Sequence, residues 1–198
     1  MKRFIILFIA IALPAILVSQ EKKLTIEDAS YMNRALFGER VRGLSWMGSS
    51  DYFTFNEDNK VLSSKATSEK SEVILTLDDI NAGLNQAGKD SLRRMPSITW
   101  KDNHLGYFIA GNAIYTYDLK SKMLQEVNHY PAEAGNLDLE KSTYAIAYTL
   151  DNNLFASIEG REIQITDDDD PGIINGQTVH RNEFGISKGT FWSPGGSY

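Results

Sequence analysis

The sequence predicts an all-β protein built as a partial β-propeller: about three four-stranded blades and the start of a fourth, after a short helix and a signal segment. Three observations predict it. Beyond residue 38 the hydrophobic period changes from 3.6 to 2, in short runs rich in Tyr, Phe, Ile and Thr separated by Asn, Asp, Gly and Ser. A Trp-led unit recurs at Trp46, Trp100 and Trp192, each followed six or seven residues later by an aromatic residue that opens a strand pattern. A degenerate copy puts Asp138 where the Trp would stand, ahead of Tyr144-Ala145-Ile146-Ala147-Tyr148. Unit starts are then spaced 54, 38 and 54 residues, bracketing the roughly 40–50-residue period of propeller blades.

Taken in chain order, residues 1–19 read as a signal peptide: Lys2 and Arg3, an apolar run from Phe4 to Val18 broken by Pro14, then small Ser19. The run is shorter than the roughly 20 residues of a spanning helix, so an exported protein is expected, in the bacterial periplasm, cell envelope or outside the cell. Residues 20–40 form a linker with a helix from Thr25 to Phe37. Thr25 caps it, Asp28 sits in the capping-box position, and Gly38 ends it. Residues 41–198 hold the blades. The second unit shows the four strands best: around Trp100, then 105–110, 113–118 and 123–127, with Gly111-Asn112 as a two-residue hairpin turn. Two long units carry insertions. The first, Leu77 to Ala87, has Leu77, Ile80, Leu84 and Ala87 at helical spacing. The second, Asp167 to Lys188, is polar with apolar punctuation, as binding loops often are. Three units and one strand fall short of the four to eight blades of a ring. The sequence therefore reads as cut within a strand at Tyr198, and residues 20–198 alone are expected to be aggregation-prone.

Composition narrows the chemistry. A net charge of −6 argues against a general nucleic-acid binder. The absence of Cys removes a disulfide framework, a thiolate metal site and a Cys nucleophile. The three His residues, at 104, 129 and 180, offer no i, i+3 or i+4 pair, and no metal or cofactor is expected. Asp167-Asp168-Asp169-Asp170 lacks the alternating ligands of a calcium loop and reads as a solvated loop. Trp192-Ser193-Pro194-Gly195-Gly196 is no nucleophile elbow. Phe191 stands where the elbow needs Gly, and Pro194 has no N–H for an oxyanion. That leaves Glu183, within Ile173 to Ile186. Its surroundings favour a local ion pair with Arg181 or Lys188 over a ligand's ammonium group.

The stretch from Asp151-Asn152-Asn153-Leu154 through Asn175-Gly176-Gln177-Thr178-Val179-His180-Arg181-Asn182-Glu183-Phe184-Gly185 to Lys188-Gly189-Thr190-Phe191-Trp192-Ser193-Pro194 resembles the propeller of the dipeptidyl peptidase IV family in the prolyl oligopeptidase clan. Leu75-Thr76-Leu77-Asp78-Asp79-Ile80 and Pro96-Ser97-Ile98-Thr99-Trp100 fit the same family's first blades. The resemblance implies an exported serine exopeptidase that removes N-terminal di- or tripeptides, usually after proline. Its propeller would gate access and bind the substrate's free N-terminus, and a C-terminal α/β-hydrolase domain, absent from this sequence, would carry the Ser-Asp-His triad. No catalytic residue is therefore assigned here. The partners implied are peptides with a free N-terminus, that hydrolase domain and, for the intact enzyme, a second copy. A family Glu pair that binds the α-amino group matches Asn182 and Glu183, so one of its two carboxylates is replaced by an amide. The alternative expectation is a non-enzymatic propeller module that binds a protein partner.

Overall fold

The computed structural model describes residues 25–30, 38, 40–179, 183–186 and 188–196. The chain divides into two compact units, Met1–Arg40 and Val41–Tyr198. In the first, helix α1 spans Ile26–Ser30. Its capping box is closed in both directions. The Asp28 N–H donates to Thr25 Oγ1 and the Thr25 N–H donates to Asp28 Oδ2, each at 3.1 Å. The expected continuation to Phe37 and the signal segment lie outside the described residues. Among the described residues, no helix is long and apolar enough to cross a membrane.

The second unit consists of three four-stranded antiparallel meanders. The first holds β1 (Arg42–Trp46), β2 (Tyr52–Glu57), β3 (Lys60–Lys65) and β4 (Ser71–Thr76). Helix α2 (Leu77–Gln86) follows. The second holds β5 (Thr99–Trp100), β6 (Leu105–Ala110), β7 (Ala113–Asp118) and β8 (Met123–His129). The third holds β9 (Gly135–Leu139), β10 (Ile146–Leu150), β11 (Asn153–Ile158) and β12 (Arg161–Gln164). This is the arrangement of consecutive propeller blades, with no closed barrel among the described residues.

Tight turns set the registers. Asp58-Asn59, Asp151-Asn152 and Glu159-Gly160 all take positive φ at both central positions, the type I′ geometry that matches the twist of a hairpin. At Gly111-Asn112 only Gly111 does, at +58°. The pairings Glu57 with Lys60, Ala110 with Ala113, and Leu150 with Asn153 follow directly.

The middle blade is buried on both faces, and β7 shows how. Ala113, Tyr115 and Tyr117 join a core with Val61, Leu75, Ile80 and Leu84 of the first unit of the repeat. Ile114, between them, joins a second core with Ile146 and Tyr148 of the third blade. Alternate residues of one strand thus fill two different interblade cores. Helix α2 adds Ile80 and Leu84, both fully buried, and is held by a capping box between Thr76 and Asp79.

Trp100 ties the first two blades together. Its ring is buried and its indole N–H donates to Thr54 Oγ1 at 2.9 Å; that hydroxyl in turn donates to the Ser45 carbonyl at 3.4 Å. Gly106, opposite Trp100 in the sheet, makes room for the ring. A Cβ there would lie 2.7 Å from Ile98 Cγ2 and 2.9 Å from Trp100 Cε3.

In the third blade the register differs from the sequence expectation. The loops after β1, β5 and β9 are closed by equivalent bonds: Met47 N–H to the Tyr52 carbonyl, Lys101 N–H to that of Leu105, and Glu140 N–H to that of Ala145. Leu139, not Asp138, therefore occupies the Trp position, and Asp138 stands in the register of Ser45. Trp192 then repeats the interblade bond. Its indole N–H donates to the Asp138 carbonyl at 2.8 Å, the same strand register that Trp100 reaches through Thr54. No strand forms over 188–196, but the indole of the fourth unit is seated on the third blade.

Candidate functional site

The second insertion leaves β12 and folds back on the β10–β11 hairpin. Asn153 organises its entry: its Oδ1 accepts from Thr166 Oγ1 at 3.0 Å and from the Asp168 N–H at 2.9 Å, and its Nδ2 donates to the Asp168 carbonyl at 3.0 Å. Asn175 bonds the Asp168 carboxylate at 2.8 Å, and its N–H donates to the Asn152 carbonyl at 2.8 Å. Asp167 accepts from Gln164, and Asp170 accepts from the Gly172 N–H. Much of the acidic run is thus spent on local turns. Among the described residues, no group of three or more acidic or His side chains is placed to hold a metal ion.

Beyond Asn175 the insertion narrows to a neck. Gly189 packs so close to Gln177 that a Cβ on it would meet the Gln177 carbonyl carbon at 2.7 Å. Gln177 and Gly189 thus bring the two sides of the insertion together. Glu183 lies midway between them in sequence. It begins a turn in which the Ile186 N–H donates to the Glu183 carbonyl at 2.9 Å. Phe184 and Gly185 take φ of +53° and +75°. A Phe with positive φ that is also 92% exposed gains little from packing. Glu183 itself is exposed. Asn182, its expected companion, and Arg181 lie outside the described residues.

The exit of the loop is fixed by Asp138, a feature that the sequence reading missed. Lys188 Nζ meets Asp138 Oδ1 at 2.5 Å, and the Trp192 indole meets the carbonyl of the same residue. Lys188 is therefore engaged on the blade, and its ammonium also lies 5.1 Å from the centre of the Phe191 ring. Asp138 is buried, and its Oδ2 has no hydrogen-bond partner among the described residues. A cavity of about 320 Å³ opens beside it, lined by Glu140, Lys188, Phe191, Trp192 and Pro194 among others. Pro194 and Gly195 occupy the centre of a turn closed by the Gly196 N–H on the Ser193 carbonyl at 2.9 Å, with φ of +79° at Gly195. That is a type II turn, with no strand-to-helix elbow.

Glu140 braces the β9–β10 loop under this turn. Its Oε2 accepts from the N–H and hydroxyl of both Ser142 and Thr143, at 2.6 to 2.8 Å. Burial alone would push its carboxyl up. The four donors outweigh that and hold it at about 2. Burial also pushes the Tyr144 hydroxyl up to about 12, and Lys101 lies over that ring at 4.7 Å.

The fold and site define a run of propeller blades with a clamped, carboxylate-tipped loop on the third. Residues 107–198 match the profile of the dipeptidyl peptidase IV N-terminal region. A crystal structure from Bacteroides ovatus ATCC 8483, of a protein assigned as a dipeptidyl aminopeptidase IV, superposes with a TM-score of 0.69 at 32% identity. The match covers 81% of this chain and 22% of that one. Dipeptidyl peptidase 4 of Porphyromonas gingivalis superposes with a TM-score of 0.50 at 16% identity, over 90% of this chain and 27% of that one, and shows the shared fold. The chain is homologous to the N-terminal, propeller-like region of the dipeptidyl peptidase IV family. It spans about a quarter of the length of these two structures.

Proposed function

We propose that this chain is the N-terminal propeller portion of an exported serine exopeptidase that releases N-terminal di- or tripeptides, usually after proline. In this reading a C-terminal α/β-hydrolase domain supplies the acyl-transfer chemistry, and the propeller gates access to it. The observation that carries the reading is Glu183, an acidic side chain on the exposed turn of a loop clamped to its blade at both ends, in a chain with this homology. A peptide's protonated α-amine taken out of water needs a compensating anion, and a carboxylate is the strongest acceptor a side chain offers. The clamp matters because a recognition group on a loose loop would lose its geometry to entropy.

Glu183→Gln tests this in the complete enzyme. It keeps the shape and removes the charge. Loss of a desolvated, charge-assisted bond costs about 2–5 kcal/mol, so the specificity constant for free-amine peptides should fall roughly 30- to 4,000-fold. N-acetylated peptides, which carry no ammonium, should be little affected. Equal losses on both would make Glu183 a structural residue.

A further inference from the structure

We propose that the cleft between residues 89–92, which follow α2, and the Gly111-Asn112 turn is a binding site for a free α-amino acid with an apolar side chain. The inference is independent of the reading of Glu183. The cleft encloses about 500 Å³, within the range of small-molecule sites. Its floor is apolar: Leu84 of α2 and Ala113 and Tyr115 of β7 are buried, and Leu92 is partly buried beside them. On its wall, Glu126 of β8 gathers three donors. Lys89 Nζ lies 2.7 Å from its Oε2, His129 Nδ1 lies 3.3 Å from its Oε1, and the Tyr115 hydroxyl lies 3.5 Å from its Oε2. Both rims are pinned by the protein itself. The Leu92 N–H donates to Asn81 Oδ1 at 2.7 Å, and Asn81 Nδ2 donates back to the Leu92 carbonyl at 3.1 Å. Opposite, Asn112 Nδ2 donates to the Tyr130 carbonyl at 2.6 Å, and the Tyr130 N–H donates to the Asn112 carbonyl at 3.0 Å. A cleft formed in advance spares a ligand the cost of ordering loops.

The charge pattern selects the class of ligand. The charged groups lining the cleft are Lys89, Asp90, Glu126 and, when protonated, His129, so the two signs nearly cancel. A simple anion would meet Glu126, and a simple cation would meet Lys89. A zwitterion suits both. In an α-amino acid the ammonium and carboxylate lie about 3 Å apart, which matches the 2.7 Å between Lys89 Nζ and Glu126 Oε2. Laid antiparallel to that ion pair, the ligand's carboxylate accepts from Lys89 and its ammonium donates to Glu126. Both partners have capacity left. An ammonium has three donors and Glu126 uses one; a carboxylate has about four acceptor positions and three are engaged. The ligand's side chain then covers Leu84, Leu92 and the Tyr115 ring, out of water. A dipeptide spaces its charges about one Cα–Cα step further apart, so it cannot match the pair at both ends.

Isothermal titration calorimetry of the full-length protein with L-phenylalanine tests this without any enzymatic readout. Saturable binding is expected with a Kd of roughly 0.1–1 mM, in keeping with a ligand of about a dozen non-hydrogen atoms. N-acetyl-L-phenylalanine lacks the ammonium, L-phenylalaninamide lacks the carboxylate, and glycyl-L-phenylalanine separates the two charges. Each should bind roughly tenfold or more weakly than the free amino acid. Lys89→Met and Glu126→Gln should each weaken L-phenylalanine by the same factor. The blocked ligands need no variant, so they decide the matter even where Glu126→Gln does not fold. No measurable binding, equal affinity for the free and blocked ligands, or full affinity in either variant would overturn the proposal. Binding lost in Glu183→Gln but kept in Lys89→Met would place the amino acid on the other insertion and would overturn it as well.

Discussion

Glu140→Gln should remove most of the acid sensitivity of the third blade. In the folded protein the Glu140 carboxyl sits at about 2, against an ordinary value of 4.5. A group whose pKa is lowered on folding stabilises the fold above its unfolded pKa and loses that contribution as pH falls toward the folded one. The stabilisation is therefore complete above about pH 5 and fades down to about pH 2. At about 1.4 kcal/mol per pH unit, its ceiling is about 3 kcal/mol; Glu140 is covered by its own loop but lies near the surface, so solvent screening takes part of that. Urea unfolding of parent and variant from pH 7 to pH 2 reads the effect directly. At pH 7 the variant should be less stable by about 1–2 kcal/mol. The gap should close as pH falls, because the parent's carboxyl becomes protonated and equally neutral. A variant within about 0.5 kcal/mol of the parent at pH 7, or a gap that persists undiminished at pH 2, would refute the reasoning.

Two further substitutions test how the blades are joined. Gly106→Ala drives a Cβ into Trp100 and Ile98 and should cost about 1–3 kcal/mol in urea unfolding at an unchanged m-value. Asn128→Ala removes a buried amide that donates to the Tyr144 and Ser157 carbonyls at 2.7 and 2.9 Å and accepts from Ser157 Oγ and the Gly160 N–H. It strands those groups between the second and third blades and should cost about 2–4 kcal/mol by the same assay; a loss below 0.5 kcal/mol would show that water replaces it.

The legible parts of the fold are those written in local chemistry. Strands β6 and β7 fall on the residues where the alternation and the Gly111-Asn112 turn place them, because a two-residue turn leaves no slack in register. The amphipathic run from Leu77 forms a helix because Ile80 and Leu84 return to one face. Strand β8 runs on to His129, beyond its expected end, because its partner Ala113 continues the ladder across the sheet. The third blade was harder to place. Asp138 is the polar oddity that draws the eye, whereas Leu139, an ordinary residue, holds the Trp register. What distinguishes Asp138 is its hydrogen bonding to Lys188 and Trp192, 50 and 54 residues away, which no local pattern encodes. The same holds for Asn128, a lone amide in a strand whose partners lie up to 32 residues off. For the candidate site, resemblance alone singles out Glu183, whereas the neck and clamp of its loop rest on contacts distant in sequence that no local pattern encodes.

The most direct test of the central claim is a crystal structure of the complete enzyme with a free-amine tripeptide bound. The Glu183 carboxylate should lie about 3 Å from the peptide's α-ammonium, with Lys188 still paired to Asp138. An α-ammonium held by another acid, or one lying in solvent beyond the reach of Glu183, would contradict the account.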